Sequence, residues 1–174
     1  MIAVVTKCRL RVFTSMALLL VPAGAAPQPP VVAELRALER YLGSWTYDGE
    51  DKTPGNGGKV TCTATRRWIS GGNFVESHRT CDTPRGTFDQ VEVFGFDFMT
   101  REYTYVGFSG PVASTYRASS MDGDSVTWIG TGASRGNRCT EVFAADRQSS
   151  TNKCETGAGD YFVLRSEGRF EKVD

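Results

Sequence analysis

Histidine is almost missing from this chain, which has one His, at position 78, in 174 residues. Zinc sites in proteins are usually built from several Cys and His ligands at short spacings such as CxxC. None of the five Cys residues forms a CxxC motif. A zinc site is therefore the weaker alternative for the Cys residues, and we expect no metal and no cofactor.

An excess of one charge sign is also missing. Lys and Arg number 20 and Asp and Glu number 20, and the two signs are interspersed along the chain. Nucleic-acid binding normally requires a basic stripe, so no nucleic-acid partner is expected. No apolar run reaches the roughly 20 residues that a membrane-spanning helix needs, so no membrane partner is expected for the mature chain.

The N-terminal segment has the pattern of a secretory signal. It contains three cations before its apolar run: Lys7, Arg9 and Arg11. The run Val12–Val21 follows, and Ala23 and Ala25 then supply the small residues that a signal peptidase reads. We predict a signal peptide over residues 1–25 and a periplasmic or secreted protein, with a retained membrane anchor as the alternative.

Four Cys residues remain when Cys8 leaves with the signal peptide, and an even number in an exported chain indicates disulfides. The first two lie at equal distances from the Gly-Gly turn Ser70–Asn73, and the last two at equal distances from the turn Ala145–Gln148. Residues placed in this way face each other across a hairpin. The predicted disulfides are Cys62–Cys81 and Cys139–Cys154.

The rest of the mature chain divides into a short leader and one domain. Residues 26–32 are Pro-rich, residues 33–174 form the predicted domain, and a helix is predicted over Val31–Tyr41. After it, short alternating segments are separated by Gly, Asp, Pro and Asn clusters. The predicted strands are 43–50, 58–69, 74–82, 87–97, 102–109, 112–120, 124–132, 137–144, 149–156 and 160–171. This pattern predicts an all-β fold, an antiparallel up-and-down barrel of about ten strands, because closure removes exposed strand edges.

Several short motifs occur in a recognisable order after the helix. They are Leu42-Gly43-Ser44-Trp45, Thr65-Arg66-Arg67-Trp68-Ile69, Gly71-Gly72-Asn73-Phe74-Val75-Glu76, and Phe94-Gly95-Phe96-Asp97 with Tyr103. This order resembles a bacterial lipocalin-like (calycin-like) family of small β-barrels of unassigned function. The resemblance implies that the helix plugs one end, that Trp45 packs at the barrel floor, and that the barrel can hold a small ligand. It implies no reaction. Phe108-Ser109-Gly110 stands where that family tends to have Trp-x-Asp, so no ligand role is expected there.

The second hairpin carries the most reactive side chains. His78 and Glu76 share one face with Arg67, and inside the barrel they could orient a polar ligand or act in acid–base catalysis. Alternation alone does not determine which face is inside. We expect a solvated outer face, on which Glu76 pairs with Arg67. In that case Arg66 and Arg79 point inwards and are the candidates for holding an anion.

Four aromatic residues of consecutive strands form a second candidate group: Tyr103, Tyr105, Tyr116 and Trp128. They could line an apolar ligand cavity with polar groups at its wall, or they could fill the core. Some related barrels bind haem through one His, but that ligand usually comes from late in the chain, whereas His78 lies in an early strand.

Taken together, these features predict an exported small β-barrel that binds a small, partly apolar ligand or acts as an accessory binding domain. The ligand-binding candidates are Arg67, Glu76, His78, Tyr103, Tyr105, Tyr116 and Trp128. Two alternatives are a lyase- or isomerase-type enzyme with Glu76 and His78 as catalytic residues inside the barrel, and an interaction module with a filled barrel. We favour a protein without a reaction. The identity of the ligand and the oligomeric state are left open.

Overall fold

The computed structural model describes residues 32–121 and 123–173. The predicted signal peptide, residues 1–25, lies outside this part of the chain, as does the predicted leader except for its last residue. The described residues form ten strands. They are β1 Gly43–Asp51, β2 Gly58–Ile69, β3 Phe74–Thr83, β4 Gly86–Asp97, β5 Glu102–Ser109, β6 Val112–Ala118, β7 Ser125–Thr131, β8 Asn137–Phe143, β9 Ser149–Ala158 and β10 Tyr161–Val173.

The ten strands form a closed antiparallel barrel. Each strand pairs with its neighbours in sequence, and β1 pairs with β10 to close the wall. Short turns make this order possible, as between β2 and β3, where Gly71 and Gly72 adopt φ angles of 68° and 89° that a side chain would oppose. The predicted ten-strand barrel is therefore confirmed, and closure leaves no strand edge unpaired along the sheet.

A short helical segment closes one end of the barrel, which we call the floor. It consists of α1, Ala33–Arg36, and a 3₁₀ turn, Ala37–Tyr41. Tyr41 is buried and stacks on Phe94 of β4, with ring centroids 4.7 Å apart. The indole N–H of Trp45, which is 1% exposed, donates to the Tyr41 carbonyl at 2.9 Å. Trp45 therefore lies at the floor, as the resemblance implied, and joins the helical segment to the barrel wall.

Arg40 fastens the helical segment to the connection between β6 and β7. Its guanidinium donates to the carbonyl of Met121 at 3.0 Å and to that of Gly123 at 3.1 Å. These bonds satisfy carbonyls that no strand partner reaches.

No helix among residues 32–121 and 123–173 is both long enough and apolar enough to span a membrane.

Two disulfides join neighbouring strands, Cys62–Cys81 between β2 and β3 and Cys139–Cys154 between β8 and β9. In both, the two Cys residues are direct partners in the ladder. Their Cα atoms lie 4.1 and 4.0 Å apart, close to the spacing of non-hydrogen-bonded pairs. Both predicted pairings are therefore confirmed.

The ladder between β6 and β7 is the shortest in the described barrel, with three residue pairs. Hydroxyl groups reinforce it, since Thr115 and Thr131 bond each other's side chains and carbonyls. A 3₁₀ turn, Gly132–Ser134, then leads to β8, and the Ser134 hydroxyl accepts the Thr115 amide at 3.2 Å. Side chains thus take over part of the bonding that backbone pairs provide elsewhere.

Candidate functional site

The register of β2 and β3 shows which face of the second hairpin lies inside the barrel and which lies outside. Arg66 pairs with Ser77 and is 5% exposed, whereas the neighbouring pair Arg67 and Glu76 lies on the outer face. Successive strand residues point to opposite sides, so Arg79 faces inwards together with Arg66. The interior of this hairpin is therefore the face that carries the two arginines.

His78, Glu76 and Arg67 form a cluster on the outer wall. The Arg67 guanidinium donates to Glu76 at 3.0 Å, and His78 Nε2 lies 3.2 Å from the same oxygen. The His78 side chain is 60% exposed. Hydrogen bonds from Arg67, and then from His78, lower the pKa of Glu76.

This placement corrects the interior roles considered for these residues. Trp45 and its direct partner Ala64 point into the barrel, and this fixes which positions of β2 and β3 point outwards. Arg67, Glu76 and His78 occupy outward positions, so a ligand inside the barrel cannot reach them. An enzyme that uses Glu76 and His78 inside the barrel does not match the structure.

The barrel encloses a cavity of about 390 Å³. It runs from Tyr41 at the floor to a rim at the opposite end, where Asp51, Arg85 and Phe88 lie. All four disulfide-bonded Cys residues line its wall, as do eight aromatic rings. The rings are Tyr41, Tyr47, Phe88, Phe94, Tyr105, Tyr116, Trp128 and Phe170. A volume above roughly 300 Å³, with aromatic rings and polar groups on the wall, is typical of small-ligand sites.

Three of the four aromatic candidates lie on this wall. Tyr105, Tyr116 and Trp128 line the cavity, and the rings of Tyr105 and Tyr116 meet edge to face at 5.3 Å. Tyr103 is buried in the core instead, where its ring contacts that of Phe96 at 5.0 Å. The structure thus brings together residues of β5, β6 and β7, and leaves Tyr103 outside the group.

A chain of hydrogen bonds crosses the cavity wall. Arg79 forms an ion pair with Glu92 at 2.6 Å and donates to Gln90 at 2.7 Å. Gln90 donates to the Tyr105 hydroxyl, which in turn donates to Glu92 at 3.0 Å. Burial, and then the charge of Glu92, raise the pKa of Tyr105, so this hydroxyl remains protonated. The network fixes the orientation of Arg79.

Arg66 lies deeper in the same wall, among aromatic rings. Its guanidinium carbon is 5.0 Å from the centroid of Phe170 and 5.5 Å from those of Tyr41 and Trp45. Such contacts stabilise a desolvated cation through the ring quadrupole. These ring contacts do not use the N–H groups of Arg66 as hydrogen-bond donors.

Glu141 is another charged residue of the interior and is 5% exposed. The Ser150 hydroxyl donates to its carboxyl group at 2.6 Å. Burial raises the pKa of Glu141, and the charge of Arg66 only partly offsets this effect. The carboxyl group is therefore biased towards its neutral form.

Sequence reasoning missed Glu92 and Glu141 as parts of this site. The available signal was their position in the strand. Glu92 lies two residues from the inward-facing Gln90 and Phe94, and Glu141 lies two residues from Cys139 and Phe143. A charged residue at one of the alternate positions of a strand that otherwise carry apolar residues indicates an interior polar site, because an unpaired buried charge is costly.

Metal ligands are not assembled in this part of the molecule. Among residues 32–121 and 123–173 no group of three His, Cys, Asp or Glu side chains has the proximity that a metal ion requires. The single His of the chain lies on the outer wall, so a haem inside the cavity would receive no imidazole ligand from this chain.

Comparison with known families identifies the chain at the level of family. Residues 32–136 match the model of a family described as a protein of unknown function, DUF1579. The chain belongs to this family. The matched residues include the floor, Arg66, Arg79 and Glu92, so most of the cavity wall falls within the DUF1579 region. The finer resemblance to lipocalin-like barrels stays a prediction.

Among solved structures the DUF1579 chain is similar to the crystal structure of Rv2717c from M. tuberculosis, with a TM-score of 0.60 and 11% sequence identity. The match covers 83% of this chain and 99% of that one. At this identity the likeness concerns the fold alone. No curated protein matches the chain.

Proposed function

We propose that this protein is an exported binding protein that holds a small, partly apolar ligand inside its barrel. The cavity of about 390 Å³ carries the proposal. Proteins that need only a stable barrel fill an interior of this kind with side chains, whereas ligand carriers leave room and place a few polar groups on an apolar wall. The interaction module with a filled barrel has less support for the same reason.

Export is supported by the two disulfides. Disulfides form and persist in oxidising compartments and are rare in the cytosol of most organisms. Cys62–Cys81 and Cys139–Cys154 are both ladder partners, so the fold itself brings each pair together. Together with the predicted signal peptide over residues 1–25, this favours a periplasmic or secreted location.

The binding proposal is tested with a neutral apolar dye, N-phenyl-1-naphthylamine, whose fluorescence rises in apolar surroundings. Ser114 lines the cavity, and no hydrogen bond of its side chain is found within the described residues. Ser114→Trp fills part of the cavity and is expected to weaken dye binding at least about tenfold. The dye is excited at wavelengths that Trp does not absorb.

The matched control is Ala113→Trp, which adds the same side chain to the outer face of the same strand. Dye affinity should be unchanged in this variant. If the parent protein does not bind the dye, or if both variants bind it as the parent does, the proposed function is wrong.

A further inference from the structure

Arg66 is a buried cation, and two of its three guanidinium nitrogens have no hydrogen-bond partner among the described residues. Its Nε and Nη1 atoms have no contact with solvent and no hydrogen bond to any described residue. The side chain lines the cavity and is 5% exposed. A buried donor without an acceptor costs free energy, and a buried charge costs more. This cost is removed when a bound group supplies the hydrogen-bond acceptor.

The neighbouring acids do not neutralise Arg66. Glu92 is engaged by Arg79 at 2.6 Å and by the Tyr105 hydroxyl at 3.0 Å. Glu141 accepts from Ser150 at 2.6 Å, and it forms no salt bridge with Arg66 among the described residues. Arg79 therefore has an acidic partner, whereas Arg66 has none among the described residues.

The surroundings of Arg66 limit the kind of group that can reach it. Three aromatic rings at 5.0 to 5.5 Å pack around the guanidinium, so an incoming group meets an apolar wall with N–H donors in it. From there the cavity continues past both disulfides to the rim at Phe88. A ligand that fits has one acidic end and an apolar body that extends towards the rim.

We propose that the ligand is a small monoanionic carboxylate with an apolar body, and that its carboxylate accepts hydrogen bonds from Arg66. This inference rests on the proposed binding function. A carboxylate matches the planar fork of a guanidinium, and its single charge balances that of Arg66. A phosphate monoester would bring between about 1.5 and 2 negative charges into the same apolar wall.

The experiment compares three ligands with the same eight-carbon tail: octanoate, octan-1-ol and octyl phosphate. Each displaces N-phenyl-1-naphthylamine from the parent protein, and the displacement curve gives its affinity. We expect octanoate to bind at least about tenfold more tightly than octan-1-ol, the effect of one charged hydrogen bond that the alcohol cannot replace. Octyl phosphate should bind more weakly than octanoate.

Arg66→Met removes the charge and keeps most of the side-chain volume. It should lower octanoate affinity at least about tenfold and leave octan-1-ol affinity unchanged. Arg67→Met is the matched control, since Arg67 is the next residue of β2 and points outwards. It should change neither affinity.

The outcomes separate this inference from the proposed function. If the dye binds and octanoate and octan-1-ol displace it equally well, the anion assignment is overturned and the binding function stands. Tighter binding of octyl phosphate overturns the carboxylate assignment. If the dye does not bind the parent protein, both proposals fail. The ligand comparison uses the parent protein, so it decides the question even if Arg66→Met does not fold.

Discussion

At the scale of single residues, the interior of this barrel is defined by how charges are balanced. Arg79 and Glu92 form an ion pair, whereas Arg66 and Glu141 face the same cavity without bonding each other. Replacing a buried pair by apolar residues is often tolerated, but leaving one buried charge without a partner is strongly destabilising. The two unpaired groups are therefore the positions at which single substitutions have the clearest consequences.

Glu141→Gln is expected to stabilise the protein relative to the parent as the pH rises. The pKa of Glu141 is raised above its ordinary value of 4.5 in the folded protein. The folded state therefore holds its proton more tightly than the unfolded state, and the parent loses stability as the pH rises from 4.5 through the raised pKa. Gln does not ionise and escapes this loss. Urea unfolding at a series of pH values measures the difference.

The control is Glu39→Gln, since Glu39 is an exposed residue of the helical segment. Its effect on the free energy of unfolding should vary little with pH. If Glu141→Gln instead becomes more destabilising as the pH rises, Glu141 is ionised in the folded state and acts as the counter-ion of Arg66.

Trp45→Ala should lower the free energy of unfolding by about 3 to 5 kcal/mol, the usual effect of removing a large buried aromatic side chain. Trp45 is 1% exposed and also donates to the Tyr41 carbonyl, so the substitution leaves a cavity and an unpaired acceptor. Urea unfolding provides the measurement. Thr46→Ala, on the outer face of β1, should cost less than about 1 kcal/mol. A similarly small change for Trp45→Ala would contradict its role at the floor.

At the scale of elements, the two hairpins that carry disulfides are the most constrained parts of the wall. The bonds close loops with sequence separations of 19 and 15 residues. Replacing both Cys residues of either pair by Ala should cost on the order of 3 kcal/mol, because the unfolded chain gains freedom. Thermal or urea unfolding of the two double variants measures this. A loss below about 0.5 kcal/mol for either pair would show that its bond constrains the unfolded chain little.

The strands could be predicted closely from the sequence because turn residues mark their ends. The predicted segments agree with β1 to β10 to within two residues at every end. Turns such as Asp82–Gly86 contain Pro, Gly and Asp, whose backbone preferences exclude a continuing strand. The 3₁₀ turn Ala37–Tyr41 was not predicted as such, since a single turn of either helix type has the same apolar spacing.

The candidate site could be predicted only in part. Both faces of the second hairpin carry charged residues, Arg66 and Arg79 on one and Arg67 and Glu76 on the other, so polarity did not separate inside from outside. The phase is set by partners in other strands, such as Trp45 against Ala64, and that register depends on the closed barrel. Glu92 and Glu141 were missed because buried charges are rare enough that a charged residue in a strand is by default placed outside.

At the scale of the whole molecule, the location prediction has a direct test. Protein exported by its own N-terminal segment should begin at or near Ala26, because Ala23 and Ala25 occupy the small-residue positions before the cleavage site. Intact-mass analysis of the exported protein gives this end. Ala25→Phe should block cleavage and leave a longer product. An exported parent protein that retains Met1 would contradict the prediction.

The short ladder between β6 and β7 also determines where the closed wall opens locally. Its three residue pairs give little backbone bonding to break, and among the described residues neither disulfide joins these two strands. Local opening is favoured where the fewest bonds are lost. We expect amide hydrogens next to Thr115 and Thr131 to exchange with solvent faster than those of the disulfide-bonded hairpins. Ser114 lies beside this seam and lines the cavity, so under the proposed binding function the same opening would give a ligand a second way out through the wall.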